Sequence, residues 1–273
     1  MGIPFVGHVP LTVLPSEASK SGMKSQEHLL EIIKECAVKP NPKFIGELKA
    51  IKDGIERSNM FNNYILETFE NSKADSLYQI FVENHTWITP TLSMWYKNAW
   101  YEDELPKDDS LMVYLPQYIK DYWKPSLNDH LTNRDNKEFI DVKKKLYSKY
   151  LEIVGVMNDK GILLLAGTDM GANPLCFPGI GVHNELREFV KAGLTPFEAL
   201  QTATINPAKF FGIEKDYGTV ETGKIADLVI LDKNPLENIS NTLTIKAVIR
   251  DGILMDYKKI NRIKKNISIN QKP

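Results

Sequence analysis

Four short strand-like segments that each close on polar residues, separated by stretches with helical periodicity, constrain this chain more than any other feature. The first runs from Ile3 to Gly7 and ends at His8, and the second ends at Glu27-His28. The third is Thr86-Trp-Ile-Thr-Pro-Thr91, and the fourth is Ile162-Leu-Leu-Leu165 leading into Ala166-Gly-Thr-Asp169. Strand and helix in alternation predict an α/β fold with a parallel sheet. The unbroken apolar stretch 162–165 predicts a strand buried on both faces, with its polar end free to sit in a site.

The intervening segments support this rhythm. A short helix is expected over about 16–21, and apolar residues at helical spacing from Phe44 to Phe69 predict two or three amphipathic helices over 41–84. Pro90 suits a strand leaving a sheet. The aromatic stretch 93–123, broken by Pro106 and Pro116, with Pro125 just beyond, predicts an irregular surface excursion before a charged helix over about 136–158. Thr195-Pro-Phe-Glu198 is a capping box that opens a helix, and Asn206-Pro207 is read as capping another that stops near Gly212. Asp251-Gly252 between two apolar runs predicts a hairpin, and the Lys-rich residues after Asp256 are read as a solvated end.

Bulk properties narrow the partners. With 34 Lys and Arg against 35 Asp and Glu, the formal charge of −1 gives no general attraction to nucleic acid or an anionic membrane, so a small-molecule partner is expected. Cys36 and Cys176 lie far apart and outside any CxxC pattern, which indicates neither a disulfide framework nor a cysteine zinc site and suits a reducing, cytoplasmic setting. The first residues have no basic segment and only a short apolar run, unlike a signal peptide or a membrane span, and Gly2 lacks the hydroxyl residue of a myristoylation pattern.

His8, His28 and Asp169 are the candidates for chemistry. In a parallel α/β barrel the strand C-termini share one mouth, so residues distant in sequence converge there. Two imidazoles and a carboxylate suit a divalent metal, with the carboxylate as ligand or base. On these residues alone, a hydrogen-bonded structural histidine and a turn or N-cap aspartate remain open alternatives.

Seven ordered motifs resemble the amidohydrolase superfamily, nearest to its imidazolonepropionase-like and prolidase-like members. They are Gly7-His8-Val-Pro, Glu27-His28-Leu, Ala166-Gly-Thr-Asp169, His183-Asn-Glu-Leu186, Ala192-Gly-Leu-Thr-Pro-Phe-Glu-Ala-Leu200, Ala203-Thr-Ile-Asn-Pro-Ala208 and the stretch from Gly218 to Asp232. The resemblance implies a partial TIM-type (β/α)8 barrel holding strands five to eight, with helical insertions at about 36–84 and 93–158, over residues 1–212. It implies the C-terminal part of a small β-domain, with the basic tail, over 213–273. His8 and His28 would end the fifth and sixth strands as metal ligands, the Trp87 segment would form the seventh, and Asp169 would end the eighth. Asp169 would serve both as metal ligand and as the catalytic proton carrier in hydrolysis of a C–N bond. The implied cofactor is a divalent metal, zinc first, and the implied substrate is a cyclic amide or a dipeptide.

The chain also departs from the family pattern. No two of its histidines stand two apart, so the His-x-His of a first barrel strand is absent. An upstream segment, a separate chain or a homo-oligomer is therefore expected to supply or cover what is missing. A catalytically silent half-barrel acting as a binding module is the competing expectation, and a mononuclear deaminase of the same superfamily is a third. His183 is read either as meeting substrate or as capping the helix that follows it, while His85 and His130 are read as non-catalytic. The aromatic stretch is either a lid or a satellite cluster. Asp227 and Asp232 are read as turn and capping residues, and the glycines at 171, 179 and 181 as a loop with no phosphate-binding pattern.

Overall fold

A computed structural model describes residues 4–101, 109–133 and 135–270. Ile3 of the expected first strand and Pro106 of the aromatic stretch lie outside them.

The chain divides into two compact units, the first comprising Met1–Trp100 and Thr132–Leu164. Its centre is a four-stranded parallel sheet in chain order, β1 (Val6–Gly7), β2 (Ser25–Glu27), β3 (Trp87–Thr89) and β4 (Leu163–Leu164). Helices α1 (Pro15–Lys20), α2 (Leu30–Cys36), α3 (Pro42–Ala50), α4 (Gly54–Glu67) and α5 (Asn71–Glu83) fill the connections before β3. The expected region 41–84 thus holds helices α3 to α5, two of them opened by side-chain caps: Asn41 accepts from Phe44 N and Asp53 from Ile55 N and Glu56 N.

Alternation along the strands sorts their side chains. In the pairings Ser25↔Trp87 and Glu27↔Thr89 the partners share one face, and Gln26↔Ile88 the other. Ile88 is fully buried together with Leu29, Ile33, Phe81 and Val154, and these side chains form the core of the unit. Complete burial of one such side chain contributes roughly 1.5–3 kcal/mol.

After β3 the structure departs from the expected irregular excursion. Leu92–Ala99 is helix α6, a 3-10 turn spans Asp109–Tyr114, and Gln117–Thr132 is helix α7 with Pro125 inside it. The prolines misled because Pro116 stands immediately before a helix, where its fixed φ is compatible with helix entry. Helix α8 (Lys137–Asp159), capped by Asn136 accepting from Phe139 N at 3.1 Å, packs against α4 and α6. Its buried Val142, Leu146, Tyr150, Ile153, Val154 and Met157 repeat at helical spacing. The α6 aromatics lie on it: Trp95 on Tyr150 at 4.7 Å and Trp100 on Tyr147 at 5.0 Å between centroids. Between the lid and cluster expectations, these contacts make Trp95 and Trp100 packing residues.

The second unit comprises Tyr101–Leu131 and Leu165–Pro273. Tyr101, Leu115, Trp123, Leu175 and Phe177 form one buried cluster, and Trp123 Nε1 donates to Gly171 O at 2.9 Å. Helices α9 (Ile180–Lys191), α10 (Pro196–Thr202) and α11 (Ile205–Phe211) follow. The Thr195–Glu198 capping box stands as expected, whereas the N-cap position of α11 is Thr204, two residues earlier than anticipated and without a side-chain capping bond, leaving Asn206 and Pro207 inside its first turn. Gly212 closes α11 in the left-handed region. Strands β5 (Leu228–Leu231), β6 (Ile245–Arg250) and β7 (Ile253–Asp256) make an antiparallel sheet. Asp251 and Gly252 have φ of 50° and 74°, which suits the tight hairpin between β6 and β7. Asp227 stands just before β5, outside any turn, and its Oδ1 accepts from the hairpin residue Asp251 N at 2.6 Å. The residues after Asp256, read as a solvated end, form helix α12 (Tyr257–Asn270) beside β6 and β7, and its side chains over 257–268 are mostly exposed. Ile260, Ile263 and Ile267 supply a helical apolar row among its lysines.

Candidate active site

His8 follows β1 and His28 follows β2, so parallel pairing of Val6 with Ser25 and Gly7 with Gln26 sets both at one end of the first sheet. Their Nε2 atoms face each other at 2.9 Å, with ring centroids 4.7 Å apart. His28 has φ 64°, unusual for a side-chain-bearing residue, and its backbone N–H donates to Thr89 O at 2.9 Å. The pairing of β2 with β3 is thereby continued one residue past the strand. On the far side of the ring, Nδ1 lies 2.7 Å from Thr91 Oγ1.

The surroundings are half polar, half aromatic. Ser25 Oγ lies 3.1 Å from Thr89 Oγ1 and 3.4 Å from Glu27 Oε1, giving a polar row on one sheet face. Trp95 meets His28 edge-on at 6.5 Å. Behind it Tyr150 is fully enclosed, and burial, followed by the charge of Glu31, pushes its phenol well above the ordinary range. Trp95 Nε1 and Tyr150 Oη are buried without hydrogen-bond partners among the described residues.

The other sequence-derived candidates belong to the second unit. Asp169, with φ 49°, lies five residues past β4, just before a turn, and accepts a hydrogen bond from Asn173 Nδ2 through Oδ2. His183 lies within α9, whose N-cap is Gly179, so its expected alternative role as a helix cap is corrected. Its Nδ1 is buried without a hydrogen-bond partner among the described residues, and burial, then the neighbouring Arg187 charge, holds its pKa below the ordinary value. Gly181, expected in a loop, is inside α9, where a Cβ would come within 3.2 Å of Thr168 Cβ. Sequence reasoning missed Thr91 and Trp95; the available signal was their place just beyond a strand end, level with His8 and His28.

The histidine pair fits a divalent ion as two of its donors. Two imidazole nitrogens on one tetrahedral zinc stand about 3.3 Å apart, given Zn–N bonds of about 2.0–2.1 Å, so the observed pair needs to open by only a few tenths of an ångström. Among the described residues no group of three or more His, Cys, Asp or Glu side chains is placed to hold a metal ion. The pair alone would supply two of the donors that such an ion takes.

Comparison with known proteins decides the lineage. The model of the Amidohydrolase family matches residues 50–255. The chain belongs to the amidohydrolase family. That match contains Asp169 and His183 and begins after His8 and His28. Adenine deaminase 1 of Desulfotalea psychrophila is 40% identical over 78 residues, which is 29% of this chain and 12% of that protein. Imidazolonepropionase of Symbiobacterium thermophilum is 39% identical over 74 residues, 26% of this chain and 17% of that protein. The solved structure of bottromycin amidohydrolase superposes with a TM-score of 0.68 at 21% sequence identity, covering 99% of this chain and 54% of its own. The chain thus spans about half the length of that structural relative, and its α/β fold with a parallel sheet is that of amidohydrolase-family neighbours. Among the described residues no helix is long and apolar enough to cross a membrane.

Proposed function

We propose that this chain carries part of the active site of a metal-dependent hydrolase of C–N bonds, with His8 and His28 as metal ligands and Asp169 as ligand and proton carrier. The observation that carries the reading is the convergence of the two Nε2 atoms at 2.9 Å at the end of a parallel sheet. In the proposed assignment β1 to β4 correspond to barrel strands five to eight, residues 1–212 to the partial barrel and 213–273 to the small β-domain portion. The remaining strands come from a segment outside these residues or from a second copy of the chain.

Zinc or a similar ion held there would lower the pKa of a water toward neutrality and polarise a substrate carbonyl. His8 and His28 bind through Nε2 and orient the ion. Asp169 has Oδ2 occupied by Asn173, so Oδ1 is the atom assigned to take a proton from the attacking water and deliver it to the leaving nitrogen. His183, kept neutral by burial, is assigned to a polar group of the substrate. That substrate is a cyclic amide or a dipeptide, and the setting proposed is the cytoplasm.

The adenine deaminase likeness favours a second reading, deamination by the same residues. A zinc-supplemented chain, with and without a complementary N-terminal half from an amidohydrolase relative, is to be assayed against a dipeptide, a cyclic imide and adenine. Amine or ring-opened acid supports the hydrolase reading, and ammonia from adenine supports deamination. No turnover under any condition, together with a stable complex, supports a silent binding module and contradicts both.

A further inference from the structure

We propose that Thr91 is a positioning residue that fixes the tautomer of His28, keeping its ring proton on Nδ1 and its lone pair on Nε2, where His8 faces it. The inference rests on the reading of His28 as a ligand only for its metal-binding consequence; the tautomer stands on hydrogen bonding alone. Thr91 Oγ1 donates to Pro90 O at 2.7 Å, and a hydroxyl has one proton to give. Its contact with His28 Nδ1, also 2.7 Å, must then be made with Oγ1 as acceptor and Nδ1–H as donor. A neutral imidazole protonated at Nδ1 is an acceptor at Nε2.

The backbone shows that this contact is built in. Thr91 has φ 52° and ψ 45°, a left-handed conformation that a β-branched residue rarely adopts and that costs about 1–3 kcal/mol. It is 3% exposed and opens α6 without capping it through its side chain, so helix capping does not account for the strain. The same short segment holds His28 twice, by Thr89 O on its backbone N–H and by Thr91 Oγ1 on its ring. With His28 Nε2 bearing a lone pair, the 2.9 Å contact makes His8 Nε2 the donor in the metal-free pair. His28 is therefore ready to ligate as it stands, whereas His8 must give up or relocate its Nε2 proton.

The test uses the full chain labelled with nitrogen-15, with long-range proton–nitrogen correlation of the imidazoles at a pH where they are neutral. The expected wild-type spectrum has His28 Nδ1 as the protonated nitrogen. Thr91→Val keeps the β-branching and removes the hydroxyl, and it should move His28 toward a mixture of tautomers; Thr91→Ser should restore the wild-type pattern. Zinc titration should show about 10–100-fold weaker binding for Thr91→Val, the usual effect of losing a hydrogen bond to a ligating histidine, and recovery in Thr91→Ser. A wild-type His28 protonated on Nε2, or a Thr91→Val protein with an unchanged tautomer, overturns the proposal. If Thr91→Val does not fold, the wild-type spectrum alone decides. Absence of zinc binding by wild type would defeat the metal reading while the tautomer result still judges Thr91.

Discussion

His8 and His28 are twenty positions apart in sequence, yet their Nε2 atoms meet at 2.9 Å because β1 and β2 are parallel and both end at the same edge of the sheet. A strand–helix–strand connection between parallel strands makes this meeting a property of the fold rather than of local sequence. The same sheet supplies the third participant, Thr91, just past the end of β3.

Ile88, at the centre of the inner strand β3 and fully buried, holds that geometry from behind. Ile88→Ala should destabilise the chain by about 2–5 kcal/mol through lost burial and a residual cavity. Urea unfolding with an unchanged slope and a lower midpoint would register this; a loss under about 1 kcal/mol would mean that the site collapses freely around the smaller side chain.

Gly218 has φ 96°, and a Cβ placed on it would come within 2.9 Å of both Ala208 Cβ and Ile205 Cα. Gly218→Ala should cost about 1–3 kcal/mol from backbone strain and overpacking against α11. Thermal melts of the two proteins side by side provide the comparison.

His183 gives a pH dependence whose sign follows from its environment. Its folded pKa lies below the ordinary 6.5, so the unfolded chain binds more protons in the interval between the two values. The associated stability is complete above about 6.5 and is lost as pH falls from there through the folded value. Melting temperature should therefore drop more between pH 7.5 and 5.5 for wild type than for His183→Gln. Equal drops would remove His183 as the source.

Cys36 should be chemically silent in the native state. It is fully buried, and burial, then Glu35, pushes its thiol up to about 12, so thiolate is scarce at neutral pH. Alkylation at pH 8 followed by peptide mapping should find Cys36 unmodified until denaturant is added. Rapid native labelling would show that the region around α2 opens readily.

Much of the fold was legible because local and global signals agreed. The Thr195–Glu198 box, the Asp251-Gly252 turn and the apolar period of α8 each mark an element whose preference is written in adjacent residues. The helices between 92 and 132 were hidden because prolines punctuate them and because Trp123 is buried by contacts with Phe177 and Gly171, which are far along the chain. The pairing of His8 with His28 could be anticipated from strand ends and family resemblance together. Thr91 could not, since its role depends on a left-handed backbone and on a hydroxyl whose proton is committed to Pro90. The exposure of the tail was legible in its lysines, whereas its helical form was not, because those lysines outweighed the row of isoleucines.

The central claim is that His8 and His28 form a metal-binding pair, and zinc content and affinity of the purified chain, beside the His8→Ala, His28→Ala double variant, test it most directly. The account predicts zinc bound by the wild-type chain and lost in the double variant, with both proteins folded. Zinc absent from both, or held equally by both, would contradict it.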